Sequence, residues 1–223
     1  MFDCGAAEKE CIILLHGLGR THHSMSPLED MLKQQNYLVV NVDYSSTKKS
    51  IEFLANQYIP SMINQCLINH SDHISFVTHS MGGIVLREYL KDHKLPQLSR
   101  IVMLGPPNHG SQIADLLHNN CLFKFFIGPA GQELTTGKTS LPNTLNHLKN
   151  QYQVGVIAGT FSFIPFTNYL FHEKNDGKVA VSSTRMNGMK DFITLPVGHT
   201  FMMNNSSVQK QILFFLNYGK FIH

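Results

Sequence analysis

The sequence predicts an α/β fold with a mostly parallel sheet of about six strands and helices on both faces. Three observations carry this. Short continuous apolar runs, such as Cys11-Ile12-Ile13-Leu14-Leu15 and Ile74-Ser75-Phe76-Val77-Thr78, recur along the chain and suit strands covered on both faces. Stretches with helical spacing of apolar residues separate them. Each run also stops abruptly in a loop of glycine, proline or small polar residues. No linker, repeat or low-complexity segment interrupts the 223 residues, which read as a single domain over 1–223.

Taken in order, the first strand at residues 11–15 ends in His16-Gly17-Leu18-Gly19-Arg20. Ser24 or Ser26 is placed to cap a helix beginning near Pro27, a residue suited to a first turn. Tyr37 to Val42 reads as a second strand, closed by Asp43-Tyr44-Ser45-Ser46. A long helix from about Ser50 to Asn69 follows, with Pro60 as its expected kink. The third strand runs straight into Thr78-His79-Ser80-Met81-Gly82-Gly83 and a helix ending at Lys91 to Lys94. Arg100 to Leu104 is the fourth strand, and its terminal loop is residues 105–111. The irregular, Phe-rich residues at about 111–150 are expected to form a cap or lid-like segment, with breaks at Gly128-Pro129 and Gly137. Val154 to Gly159 is a strand, followed by an unusually apolar connection from Phe161 to Phe171. Val179 to Ser182 is expected to extend beside the sheet, Phe192 to Leu195 to form the last strand, and residues 206–216 the closing helix.

Composition narrows the function. A formal charge of +3 spread thinly, with Lys48-Lys49 the only adjacent basic pair, gives no nucleic-acid footprint. Four widely separated cysteines, Cys4, Cys11, Cys66 and Cys121, form no C-x-x-C pair, so buried free thiols are expected rather than a zinc site or a disulfide framework. His70-x-x-His73 lacks a third metal ligand. The start, Met1 to Gly5, shows no export signal and no later run is long enough to span a membrane. Cytoplasmic location is then the default, although a removed leader leaves no trace.

A strand that ends in His-Ser-Met-Gly and becomes a helix is the context of a nucleophile elbow, which lifts a serine hydroxyl out of the sheet. Ser80 is the candidate nucleophile. Gly82 meets the need for a small residue, while Thr78 stands where the pattern has its first glycine. A serine hydroxyl is weakly nucleophilic near neutral pH and needs an imidazole base oriented by an acid. His199, after the last strand, and Asp176, after the one before it, hold the expected positions. Asp43 follows too early a strand and Asp115 falls on a helix. His16, His79 and His109 read as structural or substrate-facing, and most of the nine histidines besides these and His199 as surface residues. The Gly-rich loop after the first strand offers Leu18 N–H as a backbone donor for a developing oxyanion.

These motifs together, His16-Gly17-Leu18-Gly19, His79-Ser80-Met81-Gly82-Gly83, Asn175 to Val179 and Gly198-His199, resemble the α/β-hydrolases of the small bacterial lipase and esterase kind. The resemblance implies an acyl-enzyme on Ser80, a catalytic set completed by Asp176 and His199, and an oxyanion hole from Leu18 N–H and Met81 N–H. It implies no cofactor. The expected partner is a small-molecule ester, with an apolar acyl group suggested by the Phe-rich stretches. An acyltransferase or thioesterase uses the same chemistry, and a non-catalytic binding module uses the same fold. A further reading makes Phe161 to Phe171 a contact patch for transient lipid-surface binding.

Overall fold

The computed structural model describes residues 10–118, 120–145, 148 and 152–223. Six strands form one wholly parallel sheet: β1 (Cys11–Leu15), β2 (Leu38–Asn41), β3 (Ile74–His79), β4 (Leu98–Leu104), β5 (Gln153–Gly159) and β6 (Asp191–Leu195). Their order is β2-β1-β3-β4-β5-β6, so the chain reverses direction across the sheet between β1 and β3. At such a switch point the loops leaving adjacent strands diverge and open a crevice at the carboxyl edge.

Alternation along the strands divides the core in two. Cys11, Ile13 and Leu15 pack on one face with α2 (Ile51–Ile68) and α3 (Met81–Asp92). Ile12 and Leu14 pack on the other with α1 (Ser26–Gln34) and α9 (Ser206–Tyr218). Every residue of β1 and β3 is buried, which explains why those runs lack polar alternation.

Several elements depart from the sequence reading. Neither Ser24 nor Ser26 caps α1; a 3-10 turn over His22–Met25 precedes it, and Met25 holds the cap position without a side-chain hydrogen bond. Ser24 Oγ instead donates to Thr21 O within that turn. The second helix follows the reading in its bounds, with Pro60 inside it on the exposed face and Ser50 Oγ accepting from Phe53 N–H at its start. Val179 to Ser182 does not extend beside the sheet. A single antiparallel bridge, Asn175 to Ala180, closes a turn there, and α8 (Val181–Thr184) follows at once. The irregular stretch contains α4 (Gln112–Leu117), α5 (Cys121–Gln132) and α6 (Leu141–Thr144), with α5 broken at Gly128. The apolar connection after β5 carries α7 (Pro165–Phe171).

The cysteines are not buried free thiols. Cys11 and Cys66 form a disulfide that joins β1 to α2, and Cys121 is exposed. Both bridged residues are fully buried and face each other across the sheet-to-helix interface, a proximity that linear spacing conceals. Cys4 lies outside the described residues. Among the described residues no helix is long and apolar enough to cross a membrane.

The bridge closes a sequence separation of 55 residues, and the loss of that constraint frees the unfolded chain by roughly 4 kcal/mol. The Cys11→Ser/Cys66→Ser double variant is therefore expected to unfold at clearly lower urea concentration than wild type. Reductant should shift wild type and leave the variant unmoved; identical midpoints would show that the bridge adds nothing.

Candidate active site

The crevice at the switch point is built from loops that leave β1, β3, β4, β5 and β6. At its centre β3 becomes α3 with a single intervening residue, Ser80, whose backbone adopts φ 53° and ψ −124°. This is an unfavourable region for a side-chain-bearing residue, and the surrounding hydrogen bonds hold it there. Ser80 N–H donates to Leu104 O at 2.9 Å, and Gly83 N–H donates back to Ser80 O at 3.0 Å.

The glycines beside Ser80 are steric requirements. A Cβ on Gly82 would lie 2.5 Å from Leu15 O and 2.8 Å from His16 O, both backbone atoms of the neighbouring strand end. The same construction at Gly83 meets Thr78 Oγ1 at 3.2 Å. Thr78 thus replaces the first glycine of the elbow pattern because the adjoining helix carries its own glycine opposite the threonine side chain.

His199 and Asp176 meet Ser80 from the far loops. His199 lies in a 3-10 segment, His199–Asn204, after β6. Its Nδ1 is 2.7 Å from Asp176 Oδ2 and its Nε2 is 2.9 Å from Ser80 Oγ. A carboxylate only accepts, so Nδ1 carries the proton and Nε2 is free to accept from the serine hydroxyl. Asp176 Oδ1 accepts from Lys178 N–H at 3.0 Å and Val179 N–H at 2.8 Å, so both carboxylate oxygens are fixed. His199 N–H also donates to Asp176 O at 2.9 Å, tying the two loops together independently of the side chains. The structure therefore brings together all three side chains singled out by position.

The rival acids lie elsewhere. Asp43 pairs with His22 Nδ1 at 2.8 Å on the surface. Asp115, on α4, accepts from Thr136 N–H at 2.8 Å. His109 bonds Asn143 Oδ1 and does not line the crevice. The other histidines read as surface residues are exposed, except that His22 is half-buried and His147 falls outside the described residues. No group of three histidine, cysteine or acidic side chains among the described residues is arranged to hold a metal.

The loop after β1 is braced by residues that sequence reading left without a role. Its turn is closed by Arg20 N–H donating to Gly17 O, and Gly19 N–H donates to Ser46 Oγ at 3.0 Å. Leu18 is the first central residue of that turn, so its N–H is not used in closing it. Tyr44 stacks on His16 with centroids 3.9 Å apart, and its hydroxyl donates to His16 O. The one available signal was position: Tyr44 and Ser46 follow the strand that pairs with β1. Met81 is the first residue of α3, where N–H groups have no intrahelical acceptor.

His79 packs against His199, ring centroids 4.8 Å apart, and its Nε2 donates to His199 O at 3.0 Å. Burial holds the His79 pKa well below the ordinary histidine range, with the facing His199 lowering it further. On the opposite flank, the buried Arg87 donates to Asn108 O and Oδ1 at 3.1 and 3.0 Å and to Pro142 O at 3.1 Å, pinning the loop after β4. Burial lowers the Arg87 pKa to about 10.

Above Ser80 lies a cleft of about 410 Å³, within the range of small-molecule sites. Its walls are largely apolar, drawn from Leu18 on one side and Ile113, Phe126, Leu134 and Ile164 on the others.

A parallel sheet with an elbow serine at its switch point, facing a histidine and an aspartate from later loops, defines the chain as a member of the α/β-hydrolase superfamily. Within it, the chain belongs to the palmitoyl protein thioesterase family, whose profile matches residues 11–153. No curated protein matches the sequence. Among solved structures, the mature lipase BlEst2 of Bacillus licheniformis superposes with a TM-score of 0.76 at 18% identity, over 97% of this chain and 94% of that one. Phospholipase PlaB from Legionella pneumophila gives 0.61 at 22% identity, over 80% of this chain and 46% of that one. The metagenomic carboxyl esterase MGS0156 gives 0.61 at 18%, over 87% and 65%. At such identities the likeness is one of fold.

Two outcomes follow from the geometry. Gly82→Ala forces backbone against backbone, so it is expected to lower the melting temperature and disturb Ser80 placement, whereas an exposed alanine control such as Gln57→Ala should do neither. An unchanged melting temperature would mean that α3 is free to shift. His16 and His79 are both buried with lowered pKa values, so above about pH 6.5 they are neutral whether folded or unfolded. As pH falls below that, the unfolded chain takes up protons the folded one resists, and stability declines by up to about 1.4 kcal/mol per pH unit for each. Denaturant titrations from pH 7 to 5 should show this slope, reduced in His79→Gln; a pH-independent stability would contradict it.

Proposed function

We propose that this protein is a serine hydrolase that cleaves carboxylic esters or thioesters of apolar acyl groups through an acyl-enzyme on Ser80. The observation that carries the reading is the continuous hydrogen-bond chain from Asp176 Oδ2 through His199 to Ser80 Oγ, with separations of 2.7 and 2.9 Å. In this mechanism His199 Nε2 takes the hydroxyl proton as Oγ attacks the carbonyl carbon, and Asp176 stabilises the imidazolium. The tetrahedral oxyanion is received by Leu18 N–H and Met81 N–H, each worth about 3 kcal/mol if lost. Collapse expels the leaving group, which accepts the proton from His199. Water then attacks the acyl-enzyme with His199 again as base, releasing the acid and restoring Ser80.

The family match favours including thioesters, and the cleft walls support an apolar acyl group. The helices α4 and α5 supply one wall of the cleft, which supports reading residues 111–150 as its cap.

The test compares wild type with Ser80→Ala on p-nitrophenyl acetate, butyrate, octanoate and palmitate and on an acyl thioester. Wild type is expected to turn over, with preference for the longer chains, and the variant to lose at least a thousandfold in kcat. A fluorophosphonate should label wild type and not the variant. Wild type that neither hydrolyses nor labels would establish a non-catalytic binding module instead.

A further inference from the structure

The cleft has one feature that ester hydrolysis alone does not require. Among its described lining residues only Arg20 and Lys178 carry a formal charge, and none is an aspartate or glutamate. Arg20 closes the turn that holds Leu18, and Lys178 follows Asp176 by two positions, so the two cations reach the cleft from different loops, one after β1 and one after β5. Among the described residues neither forms an ion pair. Asp176, whose charge raises the Lys178 pKa, is already committed to His199 and to two backbone N–H groups.

From this arrangement we infer that the substrate carries a phosphate group, bound between Arg20 and Lys178 while its acyl carbonyl meets Ser80 and its acyl chain lies on the apolar walls. The inference rests on the hydrolase reading and specifies its substrate class.

The electrostatics agree with the placement. Lys178 is exposed along part of its length, but desolvation by the cleft walls lowers its pKa, and the like charge of Arg20 lowers it further. Both cations also depress the pKa of His79 below them, so their fields converge on the floor of the cleft. Two like charges sharing one cleft repel in the free protein, an effect that Asp176 offsets in part at Lys178, and a bound dianion relieves the remainder. A phosphate suits the pair because the guanidinium offers a planar fork of donors and the ammonium a compact charge, which together match a small oxyanion with several acceptors. A neutral ester would leave the pair without an anionic partner.

Two sources supply an acyl group and a phosphate in one molecule: a lysophospholipid, where glycerol separates them, and an acyl thioester of a phosphorylated pantetheine carrier, where the longer pantetheine arm does. The experiment compares 1-octanoyl lysophosphatidic acid and octanoyl-coenzyme A with neutral 1-octanoylglycerol, using wild type and the Arg20→Gln/Lys178→Gln double variant. At least one phosphorylated substrate is expected to exceed the neutral one tenfold or more in kcat/KM. The double variant should lose that preference by at least tenfold, mainly through KM, and whichever substrate shows it identifies the source. A wild-type ratio near unity, or a ratio unchanged in the double variant, would overturn the inference.

Calorimetric titration of inorganic phosphate into Ser80→Ala gives a readout independent of turnover. Heat of binding is expected there and should vanish when Arg20→Gln and Lys178→Gln are added; absence of binding to Ser80→Ala counts against the site. If p-nitrophenyl octanoate is neither hydrolysed nor fluorophosphonate labelling observed, the hydrolase reading fails, while the phosphate titration still reports on the cation pair.

Discussion

The turn between β3 and α3 has room for one residue, and the rest of the site depends on that constraint. Because the helix begins immediately after the strand, Ser80 is forced to a positive φ, and its hydroxyl stands clear of the sheet instead of capping the helix. The turn is possible only if α3 passes very close to the carbonyl ends of β1, which Gly82 permits. That closeness in turn places the loop after β1 beside the start of α3, so Leu18 and Met81 flank the same serine. Strain at one residue is thus balanced by complete hydrogen bonding of its backbone and by tight packing on both sides.

Around this turn the polar groups are held by backbone partners more often than by opposite charges. Asp176 is fixed by two N–H groups as well as His199, and Arg87 by carbonyl oxygens and Asn108, with no ion pair to it among the described residues. Such bonds give orientation at a low dielectric without requiring a second buried charge. His79 works in the same manner: kept neutral by burial, it supports the backbone of His199 from below. Arg20 and Lys178 are the exception within the cleft. They line the same cleft and form no ion pair among the described residues, an arrangement that a bound anion would complete.

The family and the neighbouring folds frame this picture without specifying it. The family profile ends at residue 153, so it covers the elbow and the loop after β1 but neither Asp176 nor His199. The part of the site contributed by β5 and β6 is supplied by the structure, where the two loops are joined by both side-chain and backbone hydrogen bonds.

Much of the architecture was legible from the chain because strands buried on both faces must be continuously apolar, and their ends must be marked by residues that turn. That physics gave about six strands, their mostly parallel sense, Ser80 at a strand end, and Asp176 and His199 in the connections that follow the last two strands. It did not reach groups whose partners are distant in sequence. Cys11 and Cys66 looked like unrelated thiols until β1 and α2 packed together. Thr78 looked like a break in the elbow pattern until Gly83 stood opposite it. Ser46 and Tyr44 looked like loop residues until they met Gly19 and His16. Nor did local propensity foresee that residues 181–184 turn into a helix, since Val and Ser there favour strand and cap alike. The sequence by itself determined the fold class and the order of the chemical groups, because both are set by periodicity and by turn residues along the chain. Only the tertiary structure decided which groups touch, because hydrogen bonds, disulfides and uncompensated charges are properties of distance in space.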